Sequence, residues 1–180
     1  MRFTFVDRVL ELTPGVKITT VKCLTLAEEY LADHFPRFPV MPGVLMLEAM
    51  TEAGAWLVRV TDNFSHTMVT LKEARNIRYA EFVRPGHVLT VTAEILGTRE
   101  SEVRIKAQAT LAGQVAVSGQ LFLERANLVD TRPEMADTDT YLRQHFRNHF
   151  ALLAPTRSGD SQQTWVAVNG EPGLAGSKKA

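Results

Sequence analysis

Between Val44 and Val60 the chain reads VLMLEAMTEAGAWLVRV, a helix-forming stretch that is apolar on almost every side. Pro42, just upstream, suits a first helical turn, where a missing amide donor costs nothing. A helix that is apolar all round must be enclosed, because no surface position hides its whole circumference. Only Glu48, Thr51, Glu52 and Arg59 interrupt it, and at helical spacing they form one narrow polar stripe. Those charges also keep the segment from spanning a bilayer.

The material to enclose it is visible in the strands. From Glu102 to Leu111, Val103, Ile105, Ala107, Ala109 and Leu111 alternate with polar neighbours, the period of a half-buried strand. Ala112-Gly113-Gln114 reads as a tight turn, and Val115–Leu123 returns as the partner strand. Leu89–Ile95 alternates similarly, and Arg2–Phe5, Gly15–Leu24 and Met68–Tyr79 are further strand candidates. One long apolar helix among antiparallel strands predicts an α+β fold with a sheet wrapped around that helix.

Near Arg125 the regular patterns end. Residues 1–125 form the expected domain, and 126–154 an expected helical extension. Asp137–Leu153 carries Leu142, Phe146, His149 and Leu153 on one face, with Thr138 or Asp139 as the expected cap. Residues 155–180, rich in Gly, Ser, Gln and Lys, are expected to be disordered, with Trp165 and Val166 able to dock.

Composition narrows the function. Twenty basic and twenty acidic residues cancel, with no basic arm, so neither nucleic acid nor an anionic membrane is an expected partner. Cys23 is the single cysteine, which rules out an internal disulfide and a thiolate metal cluster. Asp7 and Arg8 break the apolar run that a signal peptide requires, and the expected location is the cytoplasm. His145 and His149 have an i, i+4 spacing that suits a metal, but without an apparent third ligand no metal is expected.

The chemistry concentrates in HFPRFPVMPG, residues 34–43, which leads into the helix that holds Glu48. Pro36, Pro39 and Pro42 stiffen this loop, a useful property for fixing an imidazole. Gly43 permits close approach of a ligand, and the Gly43 and Val44 amides stand at the positive end of the helix dipole. Glu48 follows about 7.5 Å along the axis, at 1.5 Å per residue. A base, an oxyanion site and a carboxyl acid thus share one region. Taken singly, His34 reads as a loop histidine, Glu48 as part of a solvated stripe and Pro42-Gly43 as a helix start. Their convergence on an otherwise buried helix favours acid–base chemistry.

HFPRFPVMPGVLMLEAM resembles the active-site signature of the FabZ-type 3-hydroxyacyl-acyl carrier protein dehydratases, within the FabA/FabZ-like hotdog-fold family. VDRVLELTPGVKI and FVRPGHVLTVTAEI are similar to further segments of that family, and the resemblance runs from Phe5 to Glu124. It implies reversible dehydration of a 3-hydroxyacyl thioester to the trans-2-enoyl product, without metal or organic cofactor. By the resemblance, His34 removes the C2 proton, Glu48 protonates the leaving hydroxyl, and the Gly43 or Val44 amide polarises the thioester carbonyl. Phe35, Pro36, Met41 and Pro42 complete the active-site loop. The resemblance further implies sites shared between two subunits of a homodimer or a trimer of dimers, with an acyl carrier protein as partner.

Three departures stand out: Asp33 before the histidine, Arg37-Phe38 after His-Phe-Pro, and Glu52 four positions after Glu48. Glu52 is therefore a candidate modulator that keeps Glu48 protonated or marks a changed substrate. Alternatives at this stage are a hotdog thioesterase, a coenzyme A-ester dehydratase, and a non-catalytic acyl-binding subunit.

Overall fold

In the computed structural model, which describes residues 4–154, the apolar helix spans Gly43–Thr61 (α2), with Pro42 at its N-cap. Met50, Ala53 and Leu57 are fully buried, as an enclosed helix requires. A six-stranded antiparallel sheet surrounds it: β1 (Arg8–Thr13), β2 (Lys17–Cys23), β3 (Met68–Tyr79), β4 (Val88–Arg99), β5 (Glu102–Leu111) and β6 (Gln114–Ala126). Their order is β1-β2-β4-β5-β6-β3, and α2 contacts every strand from β2 to β6.

β5 shows why the alternation was so clean. Val103, Ile105, Ala107 and Ala109 face inward at 2% exposure or less, while Arg104 and Lys106 face solvent. The Ala112–Gly113 turn, with positive φ at both residues, joins β5 to β6. Helix and sheet approach closely at Gly54, where a Cβ would stand 2.9 Å from Ile105 Cδ1 and 3.3 Å from Leu123 Cδ1. Any larger residue there would push α2 off the sheet.

The first described strand is Arg8–Thr13; Arg2 and Phe3 of the expected Arg2–Phe5 strand lie outside the described residues. Phe5 buries its ring at 2% exposure and donates its amide to Glu52 Oε2 at 2.7 Å. With its charge-rich RVLELT sequence and a register break between Val9 and Glu11, β1 offers little periodic signal.

Beyond β6, two 3-10 turns, Leu128–Asp130 and Pro133–Met135, lead into α3 (Ala136–Leu153). The cap expected at Thr138 or Asp139 is displaced to Met135, which makes no side-chain cap bond. The second 3-10 turn runs directly into α3 and places both residues inside its first turn. Asp139 turns inward, at 1% exposure, and accepts bonds from the Leu128 amide (3.1 Å), the Val129 amide (2.9 Å) and the Thr67 hydroxyl. Phe146 and Phe150 of α3 pack on Trp56 of α2, with ring centroids 6.1 and 5.7 Å apart. Residues 155–180, including Trp165 and Val166, lie outside the described residues. No described helix is long and apolar enough to cross a membrane.

Candidate active site

His34 closes α1 (Tyr30–Asp33), a single helical turn, and donates its amide to the Tyr30 carbonyl at 3.0 Å. It sits in a loop whose two ends are stitched to one turn. Leu24 exchanges hydrogen bonds with that turn, donating to the His87 carbonyl (3.0 Å) and accepting from the Gly86 amide (2.8 Å). At the far end, the Met41 amide donates to the Val83 carbonyl at 2.8 Å, and Met41 is buried. The Arg84 amide in turn donates to His87 Nδ1 at 3.2 Å. The segment VRPGH (83–87) is thus the floor on which HFPRFPVMPG stands.

The backbone turns sharply immediately after the histidine. Phe35 has φ +50°, a left-handed conformation that costs a bulky residue about 1–2 kcal/mol. The Phe38 amide donates to the Phe35 carbonyl at 2.7 Å and closes a tight turn across Pro36 and Arg37. Phe35 is exposed, with its ring centroid 4.4 Å from that of His34. Such strain persists only where both flanks are pinned, as they are here.

The chain then enters α2. The Leu45 and Met46 amides take the Pro42 carbonyl, at 2.9 and 3.2 Å, so the Gly43 and Val44 amides precede the first intrahelical bonds. Val44 is 68% exposed, which leaves this helix end open. Gly43 makes room for a neighbour that is remote in sequence. A Cβ there would lie 3.1 Å from Cε1 of Tyr79, whose ring covers the helix start from the end of β3.

Glu48 lies on the next turn of α2 and is open to solvent on a single chain, yet burial of its surroundings holds its carboxyl above the ordinary value. A carboxyl of this kind keeps its proton at higher pH and can act as an acid. Glu52, one turn further, is more enclosed. Burial raises its carboxyl as well, opposed by the Phe5 amide, with the Glu48 charge adding to the rise. The repulsion within the pair is thus felt at Glu52, while burial is what raises Glu48.

The helix start with its two amides and Glu48 thus lie on successive turns of α2. Among the described residues, no hydrogen bond or ion pair links His34 to Glu48. Arg84 stacks over Phe38, 4.5 Å from its centroid, and Phe38 meets Phe82 edge-on at 5.7 Å, which makes an aromatic and basic rim beside the loop. Tyr79 escaped sequence reasoning because only the fold brings the end of β3 to the start of α2.

The comparisons agree with this architecture. The FabA-like domain family matches residues 1–124. A relative from Ruminiclostridium cellulolyticum, named 3-hydroxyacyl-acyl-carrier-protein dehydratase FabZ, is 35% identical over 119 residues, 66% of this chain and 84% of its own length. A Levilactobacillus brevis protein of the same name is 37% identical over 117 residues, covering 65% of this chain and 79% of its own. Among solved structures, the dehydratase heterocomplex ApeI:P from Xenorhabdus doucetiae shares the fold at TM-score 0.60 and 16% identity, over 74% of this chain and 90% of that one. The hotdog fold expected from the sequence is the fold observed, and the chain belongs to the FabA-like family.

Proposed function

We propose that this protein is a dehydratase that converts a 3-hydroxyacyl-acyl carrier protein to the trans-2-enoyl form, reversibly, in fatty acid biosynthesis. The reading is carried by one observation: Glu48, a carboxyl raised by burial, stands one turn below two free amides at an exposed helix start. Relatives about a third identical over the same residues, named as such dehydratases, support it.

In this mechanism the Gly43 and Val44 amides receive the thioester carbonyl oxygen as it gains negative charge, which acidifies the C2 proton. The His34 imidazole accepts that proton. The electron pair left on C2 forms the C2–C3 double bond while the C3–O bond breaks, and Glu48 gives its proton to the departing hydroxyl. Water leaves, and proton return from His34 to Glu48 resets the pair. In this reading each site takes its histidine from one subunit and its glutamate from another, as the family resemblance implies. The twelve residues of β3 form an outer edge with no described strand beyond it, a surface suited to pairing with a second copy. A homodimer, or a trimer of such dimers, follows from this reading, with Phe35, Pro36, Met41 and Pro42 fixing the loop between the subunits. Glu52 is the candidate modulator of the site, its own carboxyl raised by burial and by the Glu48 charge.

The test is loss of enoyl-thioester ultraviolet absorbance on incubation with a trans-2-enoyl-acyl carrier protein, beside the coenzyme A analogue. Consumption of the carrier-bound substrate is the expected result. Preference for the coenzyme A ester would reassign the carrier, and no consumption by folded dimer would sink the acid–base reading.

A further inference from the structure

The loop that carries His34 is anchored by a charge cluster that the acid–base reading does not use. Lys22, near the end of β2, is a buried lysine whose side chain is 7% exposed. Its Nζ lies 2.8 Å from Glu28 Oε1 and 3.5 Å from Asp7 Oδ1. Asp7 is itself fixed, accepting the Cys23 amide at 2.6 Å through its other oxygen and donating its own amide to the Val21 carbonyl at 2.8 Å. Burial alone would lower the Lys22 ammonium, but Glu28 and Asp7 outweigh it and hold the group charged.

Glu28 is where this cluster meets the active-site loop. Its carbonyl accepts the Leu31 amide at 3.0 Å, so it opens the turn that becomes α1. Tyr30 and Leu31 bury their side chains against the core, and burial together with the Glu28 and Asp7 charges pushes the Tyr30 phenol above its ordinary range. The Tyr30 carbonyl then receives the His34 amide. A continuous path therefore runs from a sheet-anchored ammonium through Glu28 and one helical turn to the backbone of His34. A four-residue helix is too short to hold itself, and Phe35 immediately beyond it is strained. The restraint must come from outside α1: the buried Tyr30 and Leu31 and the stitches at Leu24 and Met41 supply part of it, and the Lys22–Glu28 pair is the charged contact at its start.

We propose that Lys22 is a positioning residue for His34, acting through its ion pair with Glu28 to set the height and direction of α1. The proposal rests on the reading of His34 as the base, and it is written to be separable from it. Misplacement of a reacting group by about 1 Å costs up to about 100-fold in rate. In the full chain, Lys22→Met is expected to lower kcat for the enoyl carrier substrate by about 10- to 100-fold and to leave KM within about twofold. Amide hydrogen exchange should accelerate over residues 28–38 while β4 and β5 keep their protection, and Lys22→Arg should restore most of kcat.

Unchanged kcat in a folded Lys22→Met protein would overturn the proposal. So would faster exchange spread evenly over the sheet, which would make Lys22 a general stabiliser. Where Lys22→Met does not fold, Glu28→Gln, which removes the pair from its loop side, is judged by the same criteria. If the wild type fails to turn over substrate, the acid–base reading falls. Local exchange then still decides the role of Lys22: acceleration confined to 28–38 upholds it, and no acceleration rejects it.

Discussion

The two ends of α2 are built from similar residues and finished in opposite ways. At its C-terminal end, Trp56 and Arg59 are covered by α3: the Arg59 guanidinium lies 4.3 Å from the Phe146 centroid, and Trp56 is 3% exposed. Burial there lowers the Arg59 guanidinium to about 10, with Glu52 opposing the change. At the N-terminal end, Val44 and Glu48 stand open and the first amides lack helical acceptors. A buried helix must have its polar groups satisfied. One end is covered by its own chain, at the cost of burying Arg59 Nε without a hydrogen-bond partner among the described residues, whereas the other stands open. Under the proposed reaction, stability and chemistry fall to different ends of one helix.

That division can be broken by substitution. The largest effects belong to the open end: His34→Ala and Glu48→Gln should each lower kcat by about 10²–10⁴-fold, with melting nearly unchanged. If either variant melted far below wild type, the open end would be holding the fold as well. Trp56→Ala should do the reverse and cost about 3–5 kcal/mol in chemical denaturation, with the activity of the folded fraction retained. A loss under about 1 kcal/mol would show that the aromatic cover of α3 is dispensable.

Asp139 sharpens the comparison through pH. Burial opposes its ionisation, but the Thr67 hydroxyl and the Leu128 and Val129 amides outweigh burial and hold the carboxyl below its ordinary value. A carboxyl whose folded value is depressed stabilises the fold above its unfolded value, about 3.9, and loses that contribution as pH falls through the folded value. Asp139→Asn should therefore be less stable than wild type at neutral pH, and the two denaturation curves should converge below about pH 4. Curves that stayed parallel would remove Asp139 from the clasp between α3 and the sheet.

The smallest effect is expected at Glu52. Glu48 must be protonated to act as the acid, so its ionisation sets the alkaline limb of the kcat/KM profile. Because burial raises Glu48 and the repulsion is felt at Glu52, Glu52→Gln should leave that limb nearly where it is. A limb moved clearly to lower pH would show that the Glu52 charge helps hold the Glu48 proton and would make Glu52 a true modulator.

The parts of the fold with a strict period were legible in the sequence. β5 alternates because one face meets α2 and the other meets water, and α2 is apolar all round because the sheet encloses it. β1 was not legible because an edge strand with one fully buried side chain, Val9, leaves almost no pattern. Asp139 was misread for a different reason: a capping residue and a buried tertiary clasp share the same preference for a helix start, and only the position of Thr67 separates them. At the proposed site, His34, Gly43, Val44 and Glu48 are visible through local motif, whereas the approach of Tyr79 to Gly43 and the pairing of Lys22 with Glu28 and Asp7 leave no trace in spacing.

The double stitching of the His34 loop to residues 83–87 bears on how such a site can be moved or altered. Because Leu24 and Met41 both close on that one turn, loop and turn form a single transplantable cassette despite the helix and strand between them in the chain. A graft of HFPRFPVMPG alone would arrive without its footing, and chimaeras that exchange one segment without VRPGH should lose histidine placement before they lose the fold. The same linkage makes the Val83–His87 turn, remote in sequence and without reacting groups, a natural place to look for second-site suppressors of damage to the loop.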